Sequence, residues 1–101
     1  MAKKAERSSR SRSLARRLAL QALYQWQMTA QSHAELLNQY AQDEGYPDVD
    51  ADYFKELLSG VIENAAALDA TLGEYIDRPV AQLDPIEHAV LLIGLHELTH
   101  R

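Results

Sequence analysis

A chain of 101 residues, 47% hydrophobic and 25% charged, suffices for one domain with one modest core and leaves no room for a second independent domain. It has no cysteine, so disulfides and thiolate metal or redox chemistry are excluded, and no apolar run reaches the roughly eighteen residues that span a bilayer. The net charge of −5 conceals a division: residues 1–17 hold seven of the ten Lys and Arg against Glu6 alone, a local +6, whereas residues 18–101 carry −11.

A basic pole on an acidic chain concentrates polyanions at one end and discourages nucleic acid from wrapping the rest. The basic start is not followed by an uninterrupted apolar stretch with a small-residue cleavage site, so secretion is not expected, and a reducing cytoplasm fits the composition. An Arg- and Ser-rich, acid-poor beginning is also how an organellar transit peptide is composed. Against that stands the segment Leu18 to Met28, which has the pattern of a core helix rather than a disposable one.

Residues 1–12 read as a flexible basic arm and residues 13–101 as a single helical domain. The first helix is expected to start near Ser11 or Ser13, either of which can cap free backbone N–H groups, and to run to about Thr29. Leu14, Leu18, Ala22 and Trp26 share its core face with Ala15, Ala19 and Leu23. Arg12 and Arg16, four apart, share an edge that can meet one phosphate run. Arginines in a first turn oppose the helix dipole, and a bound phosphate backbone would relieve that opposition.

Ser32 and Glu35 form a capping box for a short second helix, with Leu36, Leu37, Tyr40 and Ala41 as its apolar face and Gly45 and Pro47 as its stop. Asp50 caps a third helix, whose face of Tyr53, Phe54, Leu57, Leu58, Val61, Ile62, Ala65, Ala66 and Leu68 can continue through Leu72 to Tyr75 and Ile76, with Gly73 a weak point. The alanines at 65–67 would allow close approach of another helix. Asp84, Pro85 and Glu87 open a fourth helix that is apolar on nearly every side, a pattern that expects burial all round. Three modest helices can hardly enclose it, so its packing partners are expected from helices beyond Arg101 or from another chain. No strand candidate occurs, and the expected class is all-α, a helical bundle.

His96-Glu97-Leu98-Thr99-His100 matches the H-E-x-x-H pattern of zinc peptidases, in which two histidines hold the metal and the glutamate serves as base. Such an enzyme takes a third ligand from later in the chain, where only Arg101 remains. Both histidines, like His33 and His88, therefore read as surface or boundary residues, partly cationic imidazoles suiting the C-terminal end of a helix. No phosphate-binding glycine loop, nucleophile elbow or cofactor motif is present, so neither enzyme, cofactor nor metal is expected. Arginine interleaved with serine and followed by aromatic side chains points instead to RNA rather than to an idle solvated tail. Trp26 belongs to the core face, which leaves Tyr24 as the stacking candidate. The candidate RNA contacts are Arg10, Arg12, Arg16, Arg17 and Tyr24. Four arginines, each on a phosphate, would give a log–log salt slope of about −2.8.

Three strings occur together and in order: ALQALYQWQ at 19–27, DVDADYFKELLSGV at 48–61 and LDPIEHAVLLIGLHEL at 83–98. Together they resemble the NusB family of bacterial transcription antitermination factors. The resemblance implies two small helical bundles, of which the second would be incomplete here. It also implies pairing with the ribosomal protein NusE, binding of single-stranded boxA RNA in ribosomal RNA operon transcripts, support of the transcription elongation complex, and no catalysis. Arg12 and Arg16 fall in the family's arginine-rich segment, Tyr24 is the tyrosine at its RNA surface, and Tyr75 and Glu87 match positions at or near the partner and RNA surface, where they are expected to bind the partner. Arg17 stands where the family commonly has Glu, Leu92 where it often has a basic residue, and His96 where Tyr is usual, so the H-E-x-x-H match arises from substitutions within a NusB-like helix. A NusB-like domain also opens certain ribosomal RNA cytosine methyltransferases, which makes a fragment of such an enzyme the alternative. An uncovered helix over 84–100 would also permit self-association.

Overall fold

The computed structural model describes residues 2–43 and 46–100, residues 2–8 by their backbone only. Among the described residues five helices follow one another: α1 (Ala2–Met28), α2 (His33–Tyr40), α3 (Ala51–Glu63), α4 (Ala65–Leu72) and α5 (Pro85–Thr99). Short 3-10 turns at Tyr46–Asp48 and Val80–Gln82 join them, and no strand occurs among the described residues. The class is all-α, as the periodicity requires.

α1 is the axis of the molecule. At about 1.5 Å per residue its 27 residues reach roughly 40 Å, close to the longest extent of 44 Å. Ala15, Leu18, Ala19, Ala22 and Leu23 are buried along one face, and the three alanines present little bulk to the helices packed on them. Against that face lie Phe54, Leu57, Leu58 and Val61 of α3 and Ala89, Leu92 and Ile93 of α5. Trp26 packs on the margin of this core, half-buried. α2 contributes the buried Leu36, and the rings of Tyr40 and Tyr46 close over Phe54 at centroid distances of 6.1 and 6.0 Å.

α1 begins at Ala2 and not near Ser11 or Ser13. Nothing in the sequence from Ala2 to Arg10 breaks a helix, and the Ser11 carbonyl accepts a bond from Asp50 N at 3.2 Å, which ties the start of α3 to α1. α2 ends at Tyr40, before the expected stop, because the bonds Gln42 N to Gln39 O and Asp43 N to Tyr40 O tighten its last turn. Gly45 lies outside the described residues.

The long third helix is two helices, broken at Asn64 rather than at Gly73. Asn64 sits at φ −111°, ψ 14°, and its Nδ2 donates to Gly60 O at 2.8 Å, a carbonyl that its own backbone N–H also uses. A short amide that competes for helix carbonyls turns the chain here. Ala66 and Ala67 are exposed, so the small side chains at 65–67 do not seat a neighbouring helix; Leu68 and Leu72 do the burying on α4.

Asp84 caps α5 through Glu87 N at 2.8 Å, with Pro85 in the first turn. α5 runs antiparallel to α1. Gln27, near the end of α1, donates to Pro85 O at 2.9 Å, and Arg16, about three turns earlier, reaches Glu97 near the end of α5. Ala89, Leu92, Ile93 and His96 are buried, whereas Ile86, Val90, Leu91 and Leu98 remain exposed, so one side of this apolar helix faces solvent.

Candidate nucleic-acid interface

The helical period sorts the basic residues of α1 into two edges. At about 100° per residue, Arg10, Arg17, Gln21, Tyr24 and Met28 fall within a stripe roughly 60° wide, while Arg12 and Arg16 are centred about 130° away from it, towards α3 and α5. Arg12 and Arg16 therefore share an edge, as their spacing requires. Tyr24 belongs to the other edge, with Arg10 and Arg17.

Arg10 and Arg17 are exposed and form no ion pair among the described residues. Arg12 is exposed too, and its guanidinium lies 5.7 Å from the centre of the Tyr53 ring. Arg16 lies over the same ring at 5.5 Å, so one buried tyrosine of α3 carries both cations. Arg16 is not free, however. Its Nε donates to Glu97 Oε2 at 2.9 Å, and the Tyr53 hydroxyl donates to the same carboxylate oxygen.

This cluster joins α1, α3 and α5. The bond to Glu97 holds the Arg16 guanidinium more firmly protonated than usual, with burial opposing. Burial, followed by the Glu97 carboxylate, raises the Tyr53 phenol, and Arg16 acts in the opposite sense. Neither Tyr53 nor Glu97 was marked by periodicity as anything other than a core and a motif residue. The usable signal was chemical: a glutamate set between Leu95 and Leu98 of an apolar helix needs a cation.

Two open grooves flank Leu20. One, of about 470 Å³, is lined by Leu20, Gln21, Tyr24, Gln25, Met28, Tyr40 and Ile86. Tyr24 forms its wall and is itself well exposed, so its ring face is accessible to a flat apolar ligand. The other, of about 420 Å³, runs between α1 and α5 past Arg16, Arg17, Leu20, Val90, Ile93, Gly94 and Glu97.

Glu87 lies at the opposite end of α5 from this cluster, and Tyr75 lies outside α5. Tyr75, 78% exposed, follows the last turn of α4, and Glu87 pairs with Arg78 at 2.8 Å in solvent. Eleven residues of α1, roughly 16 Å, separate Arg16 from Gln27, which meets the start of α5.

The H-E-x-x-H residues do not assemble as a peptidase would need. His96 and His100 do share a face, their rings stacked at 4.2 Å, but Glu97 is held by Arg16 and Tyr53. His96 is also not the surface residue expected: it is 2% exposed, with neither ring nitrogen hydrogen-bonded. Burial first, then His100, holds its pKa below the ordinary histidine value, so the expected partly cationic imidazole is corrected to a neutral one. Among the described residues no group of three or more His, Cys, Asp or Glu side chains is placed to hold a metal ion, and no helix is long and apolar enough to cross a membrane.

The profile of the NusB family matches residues 13–101. The chain is 48% identical over 103 residues to the transcription antitermination protein NusB of Marinomonas sp. (strain MWYL1), covering 98% of this chain and 59% of that protein. It is 44% identical over 91 residues to the protein of that name from Yersinia pestis (strain Pestoides F), covering 90% and 66%. For the one from Nitrosomonas eutropha the figures are 42% over 89 residues, 88% and 53%. The chain thus spans between half and two thirds of the length of these relatives.

Proposed function

This chain belongs to the NusB family, and we propose that it is a non-enzymatic RNA-binding adaptor of transcription antitermination. In this reading it acts in the cytoplasm on single-stranded boxA-type RNA and pairs with the ribosomal protein NusE in the elongation complex. The observation that carries the reading is the exposed arginine cluster of α1, without an ion pair at Arg10, Arg12 and Arg17 among the described residues, on a chain that is otherwise acidic. Guanidinium groups clamp phosphates through paired N–H donors, and the acidic remainder keeps RNA to this end. Tyr24, beside an apolar groove, receives an unstacked base. Tyr75 and Glu87 offer the protein partner a surface away from the arginines.

The test is a titration of this chain with a boxA-type RNA oligonucleotide across a salt series. Affinity should fall steadily with salt, and Arg10→Ala with Arg12→Ala should weaken it at every concentration. Binding that ignores both salt and these substitutions would remove the reading.

The exposed Ile86, Val90, Leu91 and Leu98 of α5 also suit association of two copies of this chain. Sedimentation velocity over a concentration series should show a rising mass that Val90→Lys abolishes; a concentration-independent monomer would dismiss it.

A further inference from the structure

We propose that Glu97 sets the affinity of the RNA interface: it is an internal carboxylate that occupies the Arg16 guanidinium and competes with RNA phosphate for it. The proposal rests on the reading of α1 as the RNA-binding edge and deepens it. Glu97 Oε2 accepts from Arg16 Nε at 2.9 Å and from the Tyr53 hydroxyl, and the side chains of the pair are 42% exposed at Arg16 and 20% at Glu97. The anion is thus anchored by a neighbour of its own, in a partly dry position, while the cation is the more accessible partner. An arriving phosphate meets one available cation on this edge, Arg12, because the Arg16 guanidinium is already engaged by Glu97.

The contact can also be imagined to help, by holding Arg16 still for the phosphate. Two details favour competition. Nε is one prong of the fork with which arginine grips a phosphate side-on, and Glu97 already holds that prong. Orientation is supplied separately by the Tyr53 ring, which supports Arg12 at 5.7 Å and Arg16 at 5.5 Å and would remain if Glu97 lost its charge. Glu97→Gln keeps the size of the side chain and an amide oxygen to accept from Tyr53, so it removes the charge and little else.

The experiment is the salt-series titration with boxA-type RNA, followed by fluorescence anisotropy, with a circular dichroism melt of each variant. With Arg10, Arg12 and Arg17 each on a phosphate and Arg16 withheld, the log–log slope of this chain should be about −2.1, and Arg16→Ala should change it little. Glu97→Gln should steepen the slope to about −2.8 and tighten binding on the order of tenfold at low salt. Arg16→Ala in the Glu97→Gln background should return both to their starting values, the non-additivity that two coupled side chains must show. Weaker binding or an unchanged slope in Glu97→Gln overturns the proposal. So does Arg16→Ala costing the unsubstituted chain as much as Arg12→Ala does, a result that needs no Glu97 variant to fold. RNA binding that weakens with Arg12→Ala but ignores Glu97 refutes the competition alone; absence of salt-dependent binding removes the RNA-binding reading along with it.

Discussion

Packed against Gly60, His96 keeps both ring nitrogens without a hydrogen-bond partner, and a β-carbon on Gly60 would come within 2.4 Å of the imidazole Cε1. The close approach of α3 and α5 is thus made by a glycine and a ring, and the ring has little room in which to take up a charge. His100, stacked on it, opposes protonation, whereas Glu56 at 3.8 Å and Glu97 favour it less strongly than burial disfavours it. A histidine whose pKa is lower folded than unfolded lets the unfolded chain bind the proton first, so stability rises with pH across that interval. The contribution of His96 is therefore fully present above the ordinary histidine range and is lost as pH falls through it towards the folded value. Urea midpoints measured between pH 7.5 and 5.5 should drop towards acid, and His96→Leu should flatten the drop by the share that His96 supplies. An equal slope in that variant would show that the acid sensitivity does not come from His96.

At the scale of elements, the starts are legible in the sequence and the ends much less so. Ser32 with Glu35, Asp50 and Asp84 each accept the backbone bond that their position promises, because a cap is a local device whose partners lie within three residues. The break at Asn64 is equally local in cause, yet periodicity runs through it, since Leu68 and Leu72 continue the buried face of α3 on α4. α1 starts before its serines because a serine caps a helix only when the preceding residues leave it, and Ala2 to Arg10 contain nothing that forces them out. The site was half legible. Arginine chemistry marks Arg10, Arg12, Arg16 and Arg17, but which of them is free depends on Glu97, eighty-one positions from Arg16. Tyr53 was read from spacing as core, and it is core; that its ring also carries two guanidinium groups follows only when α3 and α5 are laid beside α1.

Across the whole molecule, the antiparallel pairing of α1 and α5 sets the Arg16–Glu97 cluster and the Gln27–Pro85 contact at opposite ends of α5, and one side chain near the latter contact holds a third helix in place. His88 of α5 contacts Gln27 Oε1 of α1 through Nδ1 at 2.9 Å and Asp69 Oδ1 of α4 through Nε2 at 2.5 Å. Gln27 is fixed in this role because its Nε2 donates to Pro85 O, which turns its carbonyl oxygen towards the imidazole. α4 otherwise rests mainly on α5 through Leu68 and Leu72, so this polar link is its chief bond to the far side of the bundle. His88→Ala leaves the Asp69 carboxylate and the Gln27 amide without their partner in a half-buried position, a loss of about 1–3 kcal/mol. Local stability is not uniform, so the loss should be felt first where the link ends. Amide hydrogen exchange in His88→Ala should therefore speed up across Ala65–Leu72 and the first turn of α5, while Phe54 to Val61, buried against α1, keeps its protection. Exchange that accelerates equally throughout would show instead that α4 unfolds only with the whole domain, and that the link contributes to global stability rather than holding α4 in place.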